Sequence, residues 1–427
     1  MRNEKPILVL DGHTNHALAC VRSLGRAGFP MLVASTRWRP LAAWSRYCRD
    51  AFLLSGETVQ SFSALRFWAR GWGAQIVLPL TERACVLCNL ERDAWEAAGI
   101  RVGCGPPEML QRAFDKALTF EAAAQCEVRA PLTVAPTSLA EAHAAVEQLG
   151  FPCVVKPRFS HAWDGAAFAP NRSCAYPSSR EQLEAAVLSR VQGECWPLLQ
   201  QYVPGDGKGV FALCDQGRVV AWFAHQRLRD TRPTGSGSSL RRSIVLDPRL
   251  REPAQRLLSA LSWHGPAMVE FRDDGVQPPC LMEVNGRFWT SLQLAVDSGV
   301  DFPAQWVAVL RGESPGEPAA YEDGVILRWL WGDMKRLLCI LTGPPAGFTG
   351  PYPTRIEGFR EIFGRQPAGT RLEMWRRDDP WPALGEWLEG LRDLVDQPRK
   401  THRPGEHSAS QRSGSHRLPI SDRKPEA

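Results

Sequence analysis

Short apolar runs alternate with longer amphipathic segments over the first hundred residues. Strand patterns occur at residues 7–10, 31–34, 75–80 and 101–103, and helix patterns at residues 15–26 and 82–98. Strands that alternate with helices predict a parallel α/β sheet. A dinucleotide-binding unit is the alternative, but residues 12–17 supply one glycine where the GxGxxG fingerprint needs three. We therefore expect a scaffold sheet that contributes substrate contacts, with His13 and His16 capping or packing locally.

A different pattern begins near residue 108. Helices are predicted over residues 114–125 and 139–149, the second opening on a capping-box signature at Ser138 and Glu141. Residues 153–157 form a short apolar strand that contains Lys156. A lysine in such a strand either extends to solvent or meets an anion. Lys116 and Lys156 are therefore candidates for phosphate binding, although each alone is also typical of a solvated lysine.

Two loops in the middle of the chain are candidates for ligand contact. Residues 198–203 read as a strand that ends in a Pro-Gly turn, and a strand resumes at residues 210–213. Exposed backbone groups there could bind the edge of a purine, or the segment could be a plain hairpin loop. A second loop, residues 234–239, is rich in Gly and Ser and is flanked by basic residues. It could hold an anion and close over it, or it could be an ordinary solvated loop.

The acidic residues of one predicted hairpin point to a metal site. Apolar runs at residues 267–271 and 280–285 flank a turn-forming segment. Alternation along a strand allows Glu283, Asn285 and Arg287 to share a face, and Glu270 could join them from the partner strand. Two carboxylates and an amide oxygen are ligands that Mg²⁺ prefers, and an arginine beside them suits a phosphoryl group or a carboxylate. An ordinary charged face is the alternative, which we favour less because both glutamates interrupt apolar runs.

Composition narrows the class of protein. A chain of 427 residues is long enough for two or three domains, and a net charge of +5 indicates no nucleic-acid partner. The twelve cysteines are scattered and no secretory leader precedes Ile7, so we expect reduced thiols and a cytoplasmic protein. No apolar run approaches membrane-spanning length. Amphipathic helices are predicted over residues 325–341 and 381–394, and residues 399–427 are predicted to be disordered.

These motifs together resemble the ATP-grasp superfamily, and in particular its carboxylate–amine ligase-like branch. Residues 108–312 resemble the ATP-grasp domain, residues 1–107 look like the Rossmann-like preATP-grasp domain, and residues 313–398 form a C-terminal extension. The resemblance implies a mixed α/β and α+β fold, in which a two-lobed domain with antiparallel sheets follows the Rossmann-like domain and precedes a helical extension. Its specific element is the E…E-x-N-x-R pattern of the hairpin.

The resemblance also implies roles for individual residues. Lys116 and Lys156 match the lysines that contact the nucleotide phosphates, and Glu270, Glu283 and Asn285 match the ligands of Mg²⁺, with Mn²⁺ as the alternative ion. Arg287 matches the catalytic arginine. The nucleotide-binding hinge matches a further five residues: Gln200, Gln201, Tyr202, Val203 and Asp206. Three departures are glutamines where the hinge often has a glutamate, Asn-Gly-Arg for Asn-Pro-Arg, and fewer glycines at residues 160–165 than in many phosphate-covering loops.

The implied activity is ATP-dependent ligation of a small-molecule carboxylate to an amine through an acyl phosphate, with release of ADP and phosphate. No separate general base is evident, and His225 is the weak candidate for one. The hinge departures keep open a non-catalytic, ATP-binding regulatory or accessory protein, and a nicotinamide-dependent reductase is a poorer third reading. We expect no nucleic-acid or membrane partner, and the chain could form a homodimer.

Overall fold

The computed structural model describes residues 4–169, 173–316, 320–345, 347–348 and 350–395. The tail predicted to be disordered, residues 399–427, lies outside these ranges. Within them the strands form three sheets, of five, three and seven strands. No helix of the described part is long and apolar enough to cross a membrane.

The first sheet is parallel and has the strand order β3-β2-β1-β4-β5. The predicted helix over residues 82–98 is wrong in one respect, because it breaks at Glu91. Glu91 leaves the helical backbone conformation, and its carboxylate accepts hydrogen bonds from Ser63 and Arg66. The elements are β1 Ile7–Val9, α1 Asn15–Arg26, β2 Met31–Ser35, a 3-10 helix Leu41–Trp44, β3 Cys48–Leu53, α2 Val59–Gly71, β4 Ile76–Leu78, α3 Glu82–Leu90, α4 Arg92–Ala97 and β5 Arg101–Val102.

A small antiparallel sheet with the order β6-β8-β7 forms the next lobe. Its apolar side is covered by two helices whose first turns are capped by serine side chains, Ser138 and Ser179. The elements are α5 Pro107–Phe114, α6 Lys116–Gln125, β6 Thr133–Val134, α7 Leu139–Leu149, β7 Cys153–Lys156, α8 Arg180–Leu188 and β8 Leu198–Gln201.

The largest sheet carries the predicted hairpin at one edge, in the order β13-β12-β9-β10-β11-β14-β15. All its neighbouring strands are antiparallel except β14 and β15. Its first part comprises β9 Asp206–Asp215, β10 Arg218–Arg229, β11 Leu240–Ser243, α9 Pro248–Ala260, β12 Gly265–Asp273, β13 Cys280–Asn285, α10 Leu292–Asp297 and α11 Phe302–Leu310.

The C-terminal extension completes this sheet and then returns to the first one. It comprises β14 Ile326–Arg328, α12 Leu330–Thr342, α13 Arg355–Phe363, β15 Arg371–Leu372 and α14 Trp381–Val395. The prediction of one helix over residues 325–341 is therefore wrong at its start, because pairing with β11 holds the first residues as a strand. Beyond β15, Asp379 forms a buried ion pair with Arg22 of α1, with 2.8 Å between Arg22 Nε and the carboxylate.

Candidate active site

The two acidic residues predicted to bind metal face each other across the hairpin. Glu270 of β12 is paired directly with Glu283 of β13, and directly opposed residues of antiparallel strands project to the same face of a sheet. Asn285 lies two residues further on, and its Nδ2 donates a hydrogen bond to Glu283 Oε1 at 3.1 Å. The structure therefore brings the three side chains together, while their role as metal ligands stays a prediction.

The two carboxyl groups differ in pKa. Burial raises the pKa of Glu270 above its ordinary value, and the charge of Glu283 adds to the rise, although Arg227 opposes it. Burial also acts to raise the pKa of Glu283, but the ammonium groups of Lys156 and Lys116 outweigh it and lower that pKa below its ordinary value. Glu283 is therefore the carboxylate that the surrounding cations stabilise most.

The two predicted phosphate-binding lysines approach the hairpin from different elements, α6 and β7. Lys116 begins α6, and its Nζ donates to Ser160 Oγ at 3.1 Å. Lys156 ends β7, and its Nζ donates to the Met282 carbonyl at 3.0 Å and lies 3.9 Å from Glu283 Oε2. Both lysines are more than nine-tenths buried. Two buried ammonium groups beside a carboxylate form a site that an anion such as phosphate would complete.

Arg287 connects the hairpin to the first sheet. Its Nη2 donates to Asn285 Oδ1 at 3.0 Å and its Nη1 donates to the Phe288 carbonyl at 2.9 Å. The same guanidinium lies 4.0 Å from Glu82, which begins α3 just beyond the carboxyl end of β4. Substrates bind at such edges in open α/β sheets. Arg287 therefore stands between the acidic hairpin and the edge of the first sheet.

At the start of the predicted hinge, the side chain of Gln200 and the backbone N–H of Gln201 already have hydrogen-bond partners. Gln200 is buried in β8, and its Nε2 donates to Thr133 Oγ1 at 2.9 Å. The backbone N–H of Gln201 donates to the Leu132 carbonyl. Tyr202 and Val203 follow the strand, where their backbone groups are outside the sheet ladder. If the hinge binds a base, we expect these two residues to provide the contacts.

The hinge ends at Asp206, the first residue of β9. The carboxylate of Asp206 is exposed and accepts a hydrogen bond from Gln226 Nε2 at 2.9 Å. Gly205 precedes it at a φ of 113°, where a side chain would collide with the backbone of Asp273. The close approach of hinge and β12 therefore depends on glycine.

Arg227 is a site residue to which the sequence reasoning gave no specific role. It lies on β10, is nearly buried, and donates from Nη1 to Glu270 Oε1 at 2.8 Å. A side chain at Gly207 would collide with the guanidinium, so the glycine provides the space it occupies. The sequence did indicate a cluster of basic residues before the Gly/Ser loop as a candidate for anion binding. It did not indicate that Arg227 lies on a strand, β10, of the same sheet as the hairpin. Each glutamate of the pair thus has one basic partner, Arg227 or Lys156.

The three histidines considered from the sequence have packing environments. His16 bonds through Nε2 to the Leu80 carbonyl at 3.0 Å, and burial lowers its pKa to about 3. His225 lies edge-on against Phe211 with ring centroids 4.7 Å apart, and burial lowers its pKa well below the ordinary value. A histidine with so low a pKa is a poor general base at neutral pH, so His225 gains no support. His13 bonds to Ser35 at the edge of the first sheet.

The residues of the hairpin suit magnesium better than a transition metal. Among the described residues, no group of three or more His, Cys, Asp or Glu side chains is placed to hold a metal ion. Magnesium accepts a smaller protein set, because it keeps several waters and takes other ligands from phosphates. Glu270, Glu283 and Asn285 would supply two carboxylates and one amide oxygen. At present the amide nitrogen of Asn285 faces Glu283 and its oxygen faces Arg287, so the amide would have to turn to present its oxygen to a metal ion beside Glu283.

The resemblance to the ATP-grasp superfamily predicted from the sequence is confirmed by a family model for part of the chain and by the fold of solved structures. Residues 196–332 match the family model described as "ATP-grasp in the biosynthetic pathway with Ter operon". The matched segment runs from the hinge, through the acidic hairpin, to the beginning of the C-terminal extension. The predicted fold class, with its C-terminal extension, is confirmed as well.

Solved structures share this fold at low sequence identity. Campylobacter jejuni biotin carboxylase, solved as a β,γ-ATP complex, has a TM-score of 0.61 and 17% identity, covering 75% of this chain and 74% of that one. The biotin carboxylase domain of Hydrogenobacter thermophilus 2-oxoglutarate carboxylase, a dimer solved with MgADP, ADP and bicarbonate, has a TM-score of 0.60 and 16% identity, with 75% and 73% covered. Bacillus licheniformis L-amino acid ligase has a TM-score of 0.53 and 17% identity, with 73% and 75% covered.

Proposed function

We propose that this protein is an ATP- and Mg²⁺-dependent ligase that joins a carboxylate to an amine. The observation that carries the proposal is the directly opposed pair Glu270 and Glu283, which Lys156, Lys116 and Arg227 surround with positive charge. This combination suits phosphoryl transfer, in which catalysis rests on positioning and electrostatic stabilisation. Solved structures of the same fold with ATP- or ADP-type nucleotides give the proposal further support.

The chain's own residues would act mainly by holding charge in place. Lys116 and Lys156 would bind the phosphates, and Arg287 would stabilise the negative charge of the transferring group. Bound Mg²⁺, held by the hairpin, would supply charge neutralisation on the phosphates. A substrate carboxylate would attack the γ-phosphate to give an acyl phosphate and ADP. The amine would then displace phosphate and form the amide.

The decisive experiment measures release of ADP and phosphate from ATP with pooled carboxylates and amines, followed by mass spectrometry of the products. Glu283→Gln should lower turnover by about 100-fold or more, because it removes a charge on which the nucleotide site depends. Glu252→Gln, an exposed position on α9, is the matched control and should leave turnover unchanged. Equal turnover of the Glu283→Gln variant and the wild type would refute the proposal.

The same experiment separates the second hypothesis, an ATP-binding protein without ligase activity. The glutamines of the hinge motivated it, and the bond from Gln200 to Thr133 gives one of them a packing role instead. Tight ATP binding without ADP release across the substrate pool would favour the second hypothesis. Formation of any amide product would exclude it.

The domain boundaries at residues 107 and 312, a homodimer and a cytoplasmic location stay predictions.

A further inference from the structure

A small cavity with a mixed polar and apolar lining lies at the carboxyl ends of β1 and β2. It has room for roughly one water-sized group, and its polar lining consists of Asp11, His13, Ser35, Thr36 and Glu57. In the first sheet β1 stands between β2 and β4, so the order of the strands reverses between β1 and β4. Ligands of open α/β sheets bind at this switch point. The cavity borders this switch point, because Asp11 follows β1 and accepts hydrogen bonds from the backbone of Leu80 and Thr81, which follow β4.

Asp11 is a buried carboxylate without a basic partner. It is 8% exposed, its Oδ2 accepts from the backbone N–H groups of Leu80 and Thr81 at 3.1 and 2.9 Å, and it forms no ion pair within the described part of the chain. Burial raises its pKa to about 6, and the charge of Glu57 adds to the rise. An unpaired buried charge is unfavourable for folding, so a cation from outside would be well placed beside it.

The other groups at the cavity do not neutralise Asp11. His13 bonds through Nδ1 to Ser35 Oγ at 3.1 Å, and burial together with Arg37 lowers its pKa to about 4, so it is neutral at pH 7. The guanidinium of Arg83 lies 2.5 Å from Glu57 and thus offsets that carboxylate rather than Asp11. The cavity therefore keeps a net negative character at neutral pH.

Arg83 also connects the cavity to the proposed active site. Its Nη2 lies 3.1 Å from His161 Nδ1, in the loop that follows Lys156. Its chain neighbour Glu82 approaches Arg287 at 4.0 Å. A substrate held at the cavity would therefore lie next to the residues proposed to bind and transfer the phosphoryl group.

We propose that this cavity is a subsite for a primary ammonium group carried by a substrate, with Asp11 as the residue that binds it and Glu57 as a second source of negative potential. The proposal rests on the proposed ligase function and names its substrate class: an acid or amine that bears a cationic amino group. An ammonium group matches the cavity in size, because it is close to a water molecule. It also supplies the hydrogen-bond donors that a carboxylate and a hydroxyl accept.

Asn is the substitution that separates binding from folding at this position. Asparagine keeps an oxygen for the N–H groups of Leu80 and Thr81, and it tolerates the φ of 56° that Asp11 adopts. If Asp11 serves only to hold the segment after β1 against Leu80 and Thr81, the Asp11→Asn variant should fold and bind as the wild type does. If Asp11 binds an ammonium group, the variant should fold well and bind poorly. Asp93→Asn, an exposed position on α4, is the matched control.

The test uses pairs of compounds that differ in the amino group alone: L-alanine with propionate, L-phenylalanine with 3-phenylpropionate and L-glutamate with glutarate. For each compound, thermal stabilisation of the full chain is measured with Mg²⁺ and a non-hydrolysable ATP analogue, and ADP release is measured with ATP. We expect at least one amino compound to stabilise the wild type more than its partner. Asp11→Asn should weaken that binding about tenfold or more through loss of a charge-assisted hydrogen bond, with no loss of ATP binding.

The outcomes distinguish this subsite from the ligase proposal. Stabilisation by an amino compound that Asp11→Asn abolishes, without ADP release, would keep the subsite and refute the ligase. ADP release that is equally fast with both members of every pair would keep the ligase and overturn the subsite. Failure of every amino compound to stabilise the wild type, or unchanged binding by Asp11→Asn, would also overturn the subsite.

Discussion

Replacement of Asp379 by Ala tests how the C-terminal extension is held to the first sheet. The carboxylate of Asp379 is fully buried and accepts from Arg22 Nε, Ser45 Oγ and the backbone N–H of Arg46, each at 2.8 Å. Removal of one partner from a buried ion pair costs about 3–5 kcal/mol, because the remaining charge is left unpaired. Arg22 would keep its bonds to backbone carbonyls, including that of Met374 at 2.7 Å, so we expect about 3 kcal/mol.

The neighbouring residue provides the control. Asp378 pairs with Arg26 at 2.9 Å, but both side chains are well exposed, at 43% and 37%. An exposed pair contributes at most about 1 kcal/mol, so Asp378→Ala should change stability little. Urea unfolding of both variants measures the difference, and limited proteolysis should cut α14 earlier in the Asp379 variant. Equal midpoints for the two variants would refute the view that the buried pair holds the extension in place.

Two further changes test other parts of the structure. Burial raises the pKa of Glu386 from 4.5 to about 8. Between these pH values the folded state binds a proton that the unfolded state has lost, so the free energy of unfolding should fall as pH rises, by up to about 1.4 kcal/mol per pH unit. Glu386→Gln should flatten this dependence in thermal melts from pH 5 to 8, and an unchanged slope would contradict the assignment. Gly205→Ala places a Cβ 2.7 Å from the backbone of Asp273, whereas Gly275→Ala meets nothing within 4 Å, although both glycines have positive φ. We expect thermal melts to show a larger loss for Gly205, by about 1 kcal/mol or more, and equal losses would argue against a tight hinge.

Local sequence patterns were sufficient to predict those features of the structure that depend on a single helix or a single hairpin. The opposed placement of Glu270 and Glu283 follows from alternation along two short strands joined by a turn, and α1 begins and ends where its apolar spacing predicts. The same alternation explains why Gln200 is buried against Thr133 while the next residue is exposed. The sequence alone could not assign those faces, because the neighbouring strands of β8 come from distant parts of the chain.

Long-range pairing decided the features that the sequence reasoning missed. Residues 326–328 follow a helix-like pattern but form a strand between β11 and β15, because the ladder with β11 outweighs a weak local preference. Arg227 reaches Glu270 from a strand two positions away in the sheet, with β9 between them. Glu373 meets the buried Arg241 across 132 residues of chain. Such contacts depend on sheet order, which residue spacing does not encode.

The charges of the proposed active site have a consequence for the order in which ligands would bind. Glu283 and Glu270 are already balanced by Lys156 and Arg227, and Lys116 adds a further positive charge. A divalent cation that arrived alone would have to displace these groups and would leave them without partners, which is costly in a buried site. The magnesium complex of ATP is itself an anion, and its phosphates offer the displaced lysines and arginine new partners. We therefore expect the proposed site to take metal and nucleotide together, with the basic residues that now neutralise the hairpin turning to the phosphates.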